Sequence, residues 1–529
     1  MIEFKKEDTM TTQDMRVASP VDAGQREDKR WWALAVLMLP VLLVSVDNTV
    51  LAFAVPKISA ALQPTGNQLL WLVDIYPLVL AGLLVPMGSM GDRFGRRKAL
   101  LIGGTGFTIF SLAAAFMPDP SLVVFARAAM GFFGAMIMPA TLSLIRNIFE
   151  DAKERRLAIA IWAAAFSGGS AIGPILGGFL LEHFYWGSVF IMAVPFLLPM
   201  LILAPILVPE SRDPQPGPID PVAIVLVMLT MTPLVYGIKH TATAGFDGAS
   251  VTTFAVAIVA GWLFVRRMLR KTTPMLDVRL FARPDFTGAI MANLLSFFSL
   301  VGFLYFISQH FQLVSGYGPM MAGLMLLPGT VVTMAAGLVA VKLVQRFAPR
   351  TVVTGGLLFN AVGYAVVMWA GSQGSDLGLV LAFVLVGAGV GMAETIANDL
   401  VISAVPPHKA GAASAISETA YETGAVLGTA ILGSILNAAY RAHLVIPDEA
   451  ATPAREASDG TNLLQAAGET LGGAVRAGEQ IGGAVGSELI TNAQHAFDSG
   501  VLITSAIAIV LMLFAAVLSW RTLRHAETD

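Results

Sequence analysis

Between Trp31 and Trp520 the chain passes through about fourteen apolar stretches, each close to the ~20 residues a helix needs to cross the hydrocarbon core of a bilayer. In lipid every backbone N–H and C=O must be bonded within its own segment, so such stretches can only become helices. The expected spans are 33–54, 68–89, 98–117, 122–144, 157–180, 186–208, 219–238, 249–268, 287–309, 320–341, 350–370, 377–402, 412–437 and 500–520. With 56% hydrophobic and 13% charged residues, the chain is no ordinary soluble globule. It reads as an all-α polytopic membrane protein.

Of the 33 Lys and Arg residues, 27 fall in segments that would be cytoplasmic if the N-terminus is inside. Five lie in outer loops (Lys57, Lys239, Arg441, Arg455, Arg476) and Arg127 lies within a span. This positive-inside bias puts both termini in the cytoplasm and the protein in the inner (cytoplasmic) membrane, multi-pass, with tails at 1–32 and 521–529. The first 30 residues are polar and show no short apolar run with a cleavage site, so span 1 is expected to direct insertion itself. A net charge of −3 without a long basic tract argues against nucleic-acid binding, and the absence of cysteine excludes disulfides and thiol chemistry. No metal-ligand or nucleophile constellation and no phosphate-binding G-x-x-x-x-G-K-[ST] loop is found, so neither an enzyme nor an ATP-driven pump is expected.

Two segments interrupt the pattern. VPESRDPQPGPIDP at 208–221 reads as a stiff linker. The Gly/Ala-rich stretch 438–499 reads as an outer helical hairpin of two short amphipathic helices around glycine breaks. Trp31, Trp32, Trp71, Trp186, Trp262 and Trp520 lie near span ends, where an amphipathic ring anchors at the interface.

The ionisable residues inside the spans are lopsided: Asp47, Asp74, Glu394, Asp399, Glu418 and Glu422 against Arg127 alone. Charged groups in lipid are costly unless they face a polar interior, which suggests a cation pathway. All seven histidines fall in loops or at span ends, leaving carboxylates as the credible proton carriers. An ionised carboxylate is also a natural counter-ion for a bulky cation, and Tyr76 and Tyr421 could add cation–π contacts. Arg127 is expected to pair with a carboxylate, Asp74 or Asp47, or with backbone carbonyls. Asp399 reads better as a solvated helix end.

Four motifs narrow the class. GSMGDRFGRRK after span 2 carries Gly88, Asp92, Arg93, Gly95, Arg96 and Arg97. Its glycines allow a tight turn and close helices, while Asp92 can pair with arginines or cap a helix. In span 4, Arg127 precedes Gly131 and Gly134; in span 5, GSAIGPILGG places Gly169, Gly173, Pro174, Gly177 and Gly178 so that small residues share a face. LLVSVDNTVLAFAVP in span 1 contains Asp47, Thr49 and Pro56, WLVDIYPLVLAG in span 2 contains Asp74 and Tyr76, and ISETAYETGAVLG in span 13 contains Glu418, Tyr421 and Glu422.

Together these motifs resemble the major facilitator superfamily, and within it the fourteen-span drug:proton antiporter family, over nearly the whole chain. Two departures stand out: Met130 occupies a place where many members carry glutamine, and span 10 has no acid. The resemblance implies an N-terminal six-helix bundle (33–208), a linker with two extra spans (209–286) and a C-terminal six-helix bundle (287–520) holding the 438–499 insert. It further implies alternating access around a central site and export of lipophilic organic cations such as quaternary ammonium compounds, biguanides and dyes. The energy source would be the proton motive force, with no cofactor, in a lipid-embedded protein working as a monomer. In that picture Asp47, Asp74 and Glu422 couple protons, and Asp74, Glu394, Glu418, Glu422, Tyr76 and Tyr421 bind substrate. Rival readings are a superfamily exporter or symporter of a metabolite, lipid or siderophore, or a non-transporting membrane receptor.

Overall fold

A computed structural model describes residues 20–213, 219–405, 410–450 and 463–525. The described residues contain no strand, and their helices are α1 (Pro20–Leu62), α2 (Gly66–Phe94), α3 (Arg96–Ala115), α4 (Pro120–Ile148), α5 (Ala152–His183) and α6 (Ser188–Leu207). Next come α7 (Pro221–Ala244), α8 (Gly248–Arg270), α9 (Pro284–Gln309, prolonged by a π turn at His310–Val314), α10 (Pro319–Val344), α11 (Pro349–Gln373) and α12 (Asp376–Ser403). Helix α13 runs Ala410–Gly428, then through a π turn at Thr429–Gly433 into Ser434–His443. The series closes with α14 (Leu463–Glu469), α15 (Leu471–Ile481) and α16 (Gly483–Thr522). Among the described residues thirteen helices are long and apolar enough to cross a membrane, and α5 makes a fourteenth when its two halves, bent by 41°, count as one span.

The sequence sets many of these starts directly. Asp119, Asp220 and Asp247 cap α4, α7 and α8 by accepting the free first-turn N–H groups, and Thr65 with Gln68 forms a capping box on α2. Proline opens α4, α7, α9, α10 and α11, where its missing N–H costs nothing.

Helices α1–α6 pack on one another, as do α9–α13 with α16. The groups meet through α5 on α10, α2 on α13 and α1 on α9. The side where α1 begins and α16 ends is called the terminal face, and the opposite side, bearing 444–450 and 463–482, the insert face. The close contacts between the groups lie toward the insert face. Ser308 donates to the Ala52 carbonyl (2.7 Å), Gln312 to the Phe53 carbonyl (3.2 Å), and the Met320 N–H to Glu182 (3.1 Å).

Glycine makes the α5–α10 crossing possible. A Cβ on Gly178 would lie 2.6 Å from Met320 Cα and 2.7 Å from the Pro319 carbonyl oxygen, and one on Gly323 would lie 2.3 Å from the Pro174 carbonyl oxygen. Gly178→Leu is therefore expected to wedge the groups apart on the insert face. Spin labels at Phe184 and Met321 should then show longer separations than in the parent protein, with transport reduced; an unchanged distance distribution would show that this crossing does not hold the face closed.

The insert differs from a simple hairpin. Helix α13 continues to His443, and α16 begins at Gly483, so its first turns belong to the stretch expected as insert. Helices α14 and α15 are the short pair, and α15 packs back on α16 where Gly478 and Gly486 meet; a Cβ on either would strike the other's carbonyl. The insert bonds to both helix groups. Thr470 Oγ1 is 2.9 Å from Ser59 Oγ of α1, Glu469 accepts the Gly66 N–H of α2 (3.1 Å), and Arg476 donates to the Ala60 carbonyl. On the other side the Tyr440 hydroxyl of α13 donates to the Ala467 carbonyl (2.7 Å).

Helices α7 and α8 form an antiparallel pair outside both groups. Arg267 and Lys271 reach Asp220 at 2.7 and 2.6 Å near the terminal face, and the Arg267 hydrogen bond holds the Asp220 carboxyl well below its usual range. Only α7 of the pair packs extensively inward, on both α2 and α13. It also corrects the sequence reading of Lys239. Helix α7 continues past residue 238 to Ala244, and Lys239, counted above as an outer-loop residue, is 1% exposed. The hydropathy signal stops where polar residues begin, but the helix does not.

Candidate functional site

Between the two groups lies a cavity of about 540 Å³. Its walls are largely apolar, from Leu51, Val73, Phe297, Leu300, Val301 and Leu304, and polar groups enter at Asn48, Asp74, Arg127, Glu394, Tyr421 and Glu422. Its lining reaches Val341 and Thr395, well toward the terminal face, while the contacts described above close the insert side. A mainly apolar chamber with a few charged groups suits an amphiphilic ligand.

Arg127 settles its expected choice of partner on Asp47. Its guanidinium is 2% exposed, donates to Asp47 Oδ2 at 2.7 Å and to the Leu72 carbonyl at 3.4 Å, and lies 4.5 Å over the Tyr76 ring. One side chain from α4 thus ties together α1 and α2. The glycines that follow it provide the approach: a Cβ on Gly131 would lie 2.7 Å from the Tyr76 carbonyl oxygen, and one on Gly134 would meet the Tyr76 ring at 3.4 Å. Tyr76, proposed for substrate, is fully buried behind the wall, edge-on to Phe107, and does not line the cavity.

The span 5 motif divides its small residues between two partners. Gly169, Gly173 and Gly177 face Ser45, Thr49 and Val50 of α1, whereas Gly178 faces α10. Pro174 has no N–H for the Ser170 carbonyl one turn earlier, and α5 bends there. Thr49 Oγ1 donates to that freed carbonyl at 3.4 Å, which gives the threonine of the span 1 motif a physical task.

Asp74 meets a base that sequence reasoning missed. Lys239 Nζ lies 2.8 Å from Asp74 Oδ2, both side chains are 1% exposed, and the ammonium sits 4.0 Å over the Trp71 ring. Trp71 is therefore a cation contact here. The missed signal was the acid excess itself, since a carboxylate placed at this depth asks for a counter-charge. Among the described residues the fully buried bases are Arg127 and Lys239, each matched to an acid of the N-terminal helices.

The acids of the C-terminal helices stand differently. Glu394 on α12 and Glu422 on α13 line the cavity; Glu418, one turn before Glu422, does not. None of the three forms an ion pair among the described residues, and Glu422 is 1% exposed, with Asn48 of α1 beside it. Tyr421 lines the cavity and packs edge-on to Phe166 of α5 across the groups (5.8 Å). Asp399 is exposed at the terminal end of α12, as its reading as a solvated helix end requires.

The loop between α2 and α3 is held from within the N-terminal helices. Asp92 pairs with Arg96 at 2.7 Å, and Glu210 accepts the Arg97 and Lys98 N–H groups at 3.0 and 3.2 Å, capping α3. Gly95, at φ 124°, takes a conformation other residues rarely adopt, and a Cβ there would press on the Glu210 carboxylate. Gly88 lies against Pro139 of α4, and Arg93 is exposed.

Two six-helix groups around one apolar, acid-lined chamber describe a helical membrane transporter rather than an enzyme. The profile of the Major Facilitator Superfamily matches residues 37–429, and the chain belongs to that superfamily. It is 54% identical over 488 residues to the multidrug efflux pump LfrA of Mycolicibacterium smegmatis, covering 92% of this chain and 95% of the relative. To the methyl viologen resistance protein SmvA of Salmonella typhimurium it is 36% identical over 507 residues, covering 94% and 99%. Among solved structures, a bacterial homolog of the human lysosomal transporter Spinster, inward-facing and unoccupied, shares the fold with a TM-score of 0.63 at 18% identity, covering 94% and 98%. The chain is a multi-pass drug efflux transporter of the superfamily.

Proposed function

We propose that this transporter is a proton-coupled antiporter that exports lipophilic organic cations, including quaternary ammonium compounds, biguanides and dyes, by alternating access in the inner membrane. The observation that carries the reading is the placement of Glu394, Glu418 and Glu422 on α12 and α13, at and beside the cavity, with no ion-pair partner among the described residues. A carboxylate with no resident counter-ion can take either a proton or a substrate cation, and mutual exclusion of the two is what antiport requires. The multidrug and methyl viologen names of the relatives support a cationic drug range.

The lysine and arginine bias makes the terminal face cytoplasmic, so the cavity is accessible from the side where drug accumulates and the insert face looks outward. The two helix groups are the six-helix bundles of 33–208 and 287–520, rocking about the site with α7 and α8 as an added pair. Asp47 and Asp74 join the glutamates in proton coupling, and Asp74 also in substrate recognition. The transporter works as a monomer in lipid, driven by the proton motive force with no cofactor.

The test is dye efflux from energised cells with and without protonophore, beside proteoliposomes given a pH gradient alone. Efflux should stop with the protonophore and start with the imposed gradient. Efflux that continues after the gradient has collapsed would rule out proton coupling, and transport of anionic or neutral solutes alone would rule out the cation range.

A further inference from the structure

The Lys239 ammonium sits between a carboxylate at 2.8 Å and an aromatic face at 4.0 Å, and that pair of contacts is also what an alkylammonium ligand needs. Asp74 has two sides: it lines the cavity, while Lys239 and Trp71 stand behind the wall and do not line the cavity themselves, so a second cationic centre reaches Trp71 only by passing Asp74 into the place of the ammonium. The surroundings are dry, formed by Leu78, Val235, Val426 and Ala430, with Trp71 and Ile238 packed on them. In such a place neither charge is tolerated without the other. Lys239 is borne by α7, a helix outside both bundles that packs on α2 of one and α13 of the other. That helix ends five residues later at Ala244, about 7.5 Å along the axis at ~1.5 Å per residue, so the four-carbon stem can carry the ammonium toward the insert face.

We propose that Trp71 and Asp74 form a cation subsite of the cavity whose resting occupant is the Lys239 ammonium, and that the second cationic centre of a bis-cationic substrate binds there by displacing it. The inference rests on the reading of the cavity as an organic-cation site. A monocation is neutralised by the glutamates of α12 and α13 and leaves Lys239 in place. A dication must compete with it, so Lys239 sets the relative affinity for divalent and monovalent substrates without contacting the bound monocation.

The test uses purified full-length protein and a matched pair of probes, decamethonium and decyltrimethylammonium, which share a ten-carbon chain and differ in having two quaternary ammonium ends or one. Lys239→Met should tighten decamethonium binding by about tenfold, the loss of a competitor worth ~1.4 kcal/mol, and change decyltrimethylammonium by less than about twofold. Lys239→Arg should weaken decamethonium selectively, because a guanidinium grips a carboxylate through two bonds and does not let go as readily. The double variant Asp74→Asn/Lys239→Met, which buries no charge at the site, should lose the preference for decamethonium altogether. Thermal melting identifies the folded variants. An affinity ratio equal to that of the parent in the folded variants overturns the proposal while leaving the cation cavity intact; a parent protein that binds neither probe overturns the cavity reading beneath it.

Discussion

Asp47→Asn is expected to abolish uphill efflux of every substrate and to destabilise the protein at the same time. The amide cannot gain and release a net proton near neutrality, and it removes the charge opposite the Arg127 guanidinium, which is 2% exposed and otherwise has the Leu72 carbonyl and the Tyr76 ring. Removing one partner of a buried pair costs about 3–5 kcal/mol, whereas replacing both with apolar groups is often neutral. The double variant Asp47→Asn/Arg127→Met should therefore recover most of the melting temperature without recovering transport. Dye efflux and thermal melting on the two variants decide the matter. Wild-type efflux by Asp47→Asn would remove Asp47 from coupling, and recovery of efflux in the double variant would show that the pair serves only to hold α1, α2 and α4 together.

Glu422→Gln should behave in the opposite way with respect to stability. Glu422 is 1% exposed and has no ion-pair partner among the described residues, so replacing a carboxyl with an amide of the same shape strands no opposite charge. Melting should be unchanged or raised, while gradient-driven efflux falls by at least about a hundredfold, near 3 kcal/mol of lost coupling. Glu418→Gln, one turn away and outside the cavity wall, should have a smaller effect on binding and a measurable one on protons. Adding a divalent biguanide to weakly buffered, solubilised protein should release protons, and fewer from either variant than from the parent. Equal proton release from all three, with dication efflux retained, would place the exchange site elsewhere.

The split between these two outcomes follows from a distinction the amino-acid order only half displays. Span number, the glycine faces and the existence of an acid-rich interior were legible because hydropathy, small-residue spacing and charge cost act locally along a helix. Arg127 was expected to meet Asp74, Asp47 or backbone carbonyls, and it meets Asp47 and the Leu72 carbonyl; choosing Asp47 over Asp74 needed the crossing of α1 and α4 over α2. Lys239 was lost because a lysine four residues after the apolar Val235 looks like the start of a loop, and only the packing of α7 on α2 reveals that it turns inward. Tyr76 was assigned to substrate as an aromatic suited to cation–π contact, on the same span as Asp74. Two residues along a helix differ by about 200° in direction, so it faces Arg127 instead. The insert ends were misjudged for a related reason: Gly483 to Gly500 is helical but polar, and hydropathy measures polarity rather than helix.

The insert also bears on which way the empty protein faces. With the insert face shut, the insert bonds to Ser59, Ala60 and Gly66 on one bundle and to Tyr440 on the other. If the alternating-access cycle proposed above opens that face, the bonds to one bundle would be lost and would add free energy to the closed end state alone. At about 1 kcal/mol net per hydrogen bond, even two or three of them multiply the inward-facing population by roughly thirty to more than a hundred. On the antiport cycle proposed above, a pump biased in this way would idle with its chamber turned toward the terminal face, and the return stroke, not the encounter with drug, would be the step on which a proton gradient acts.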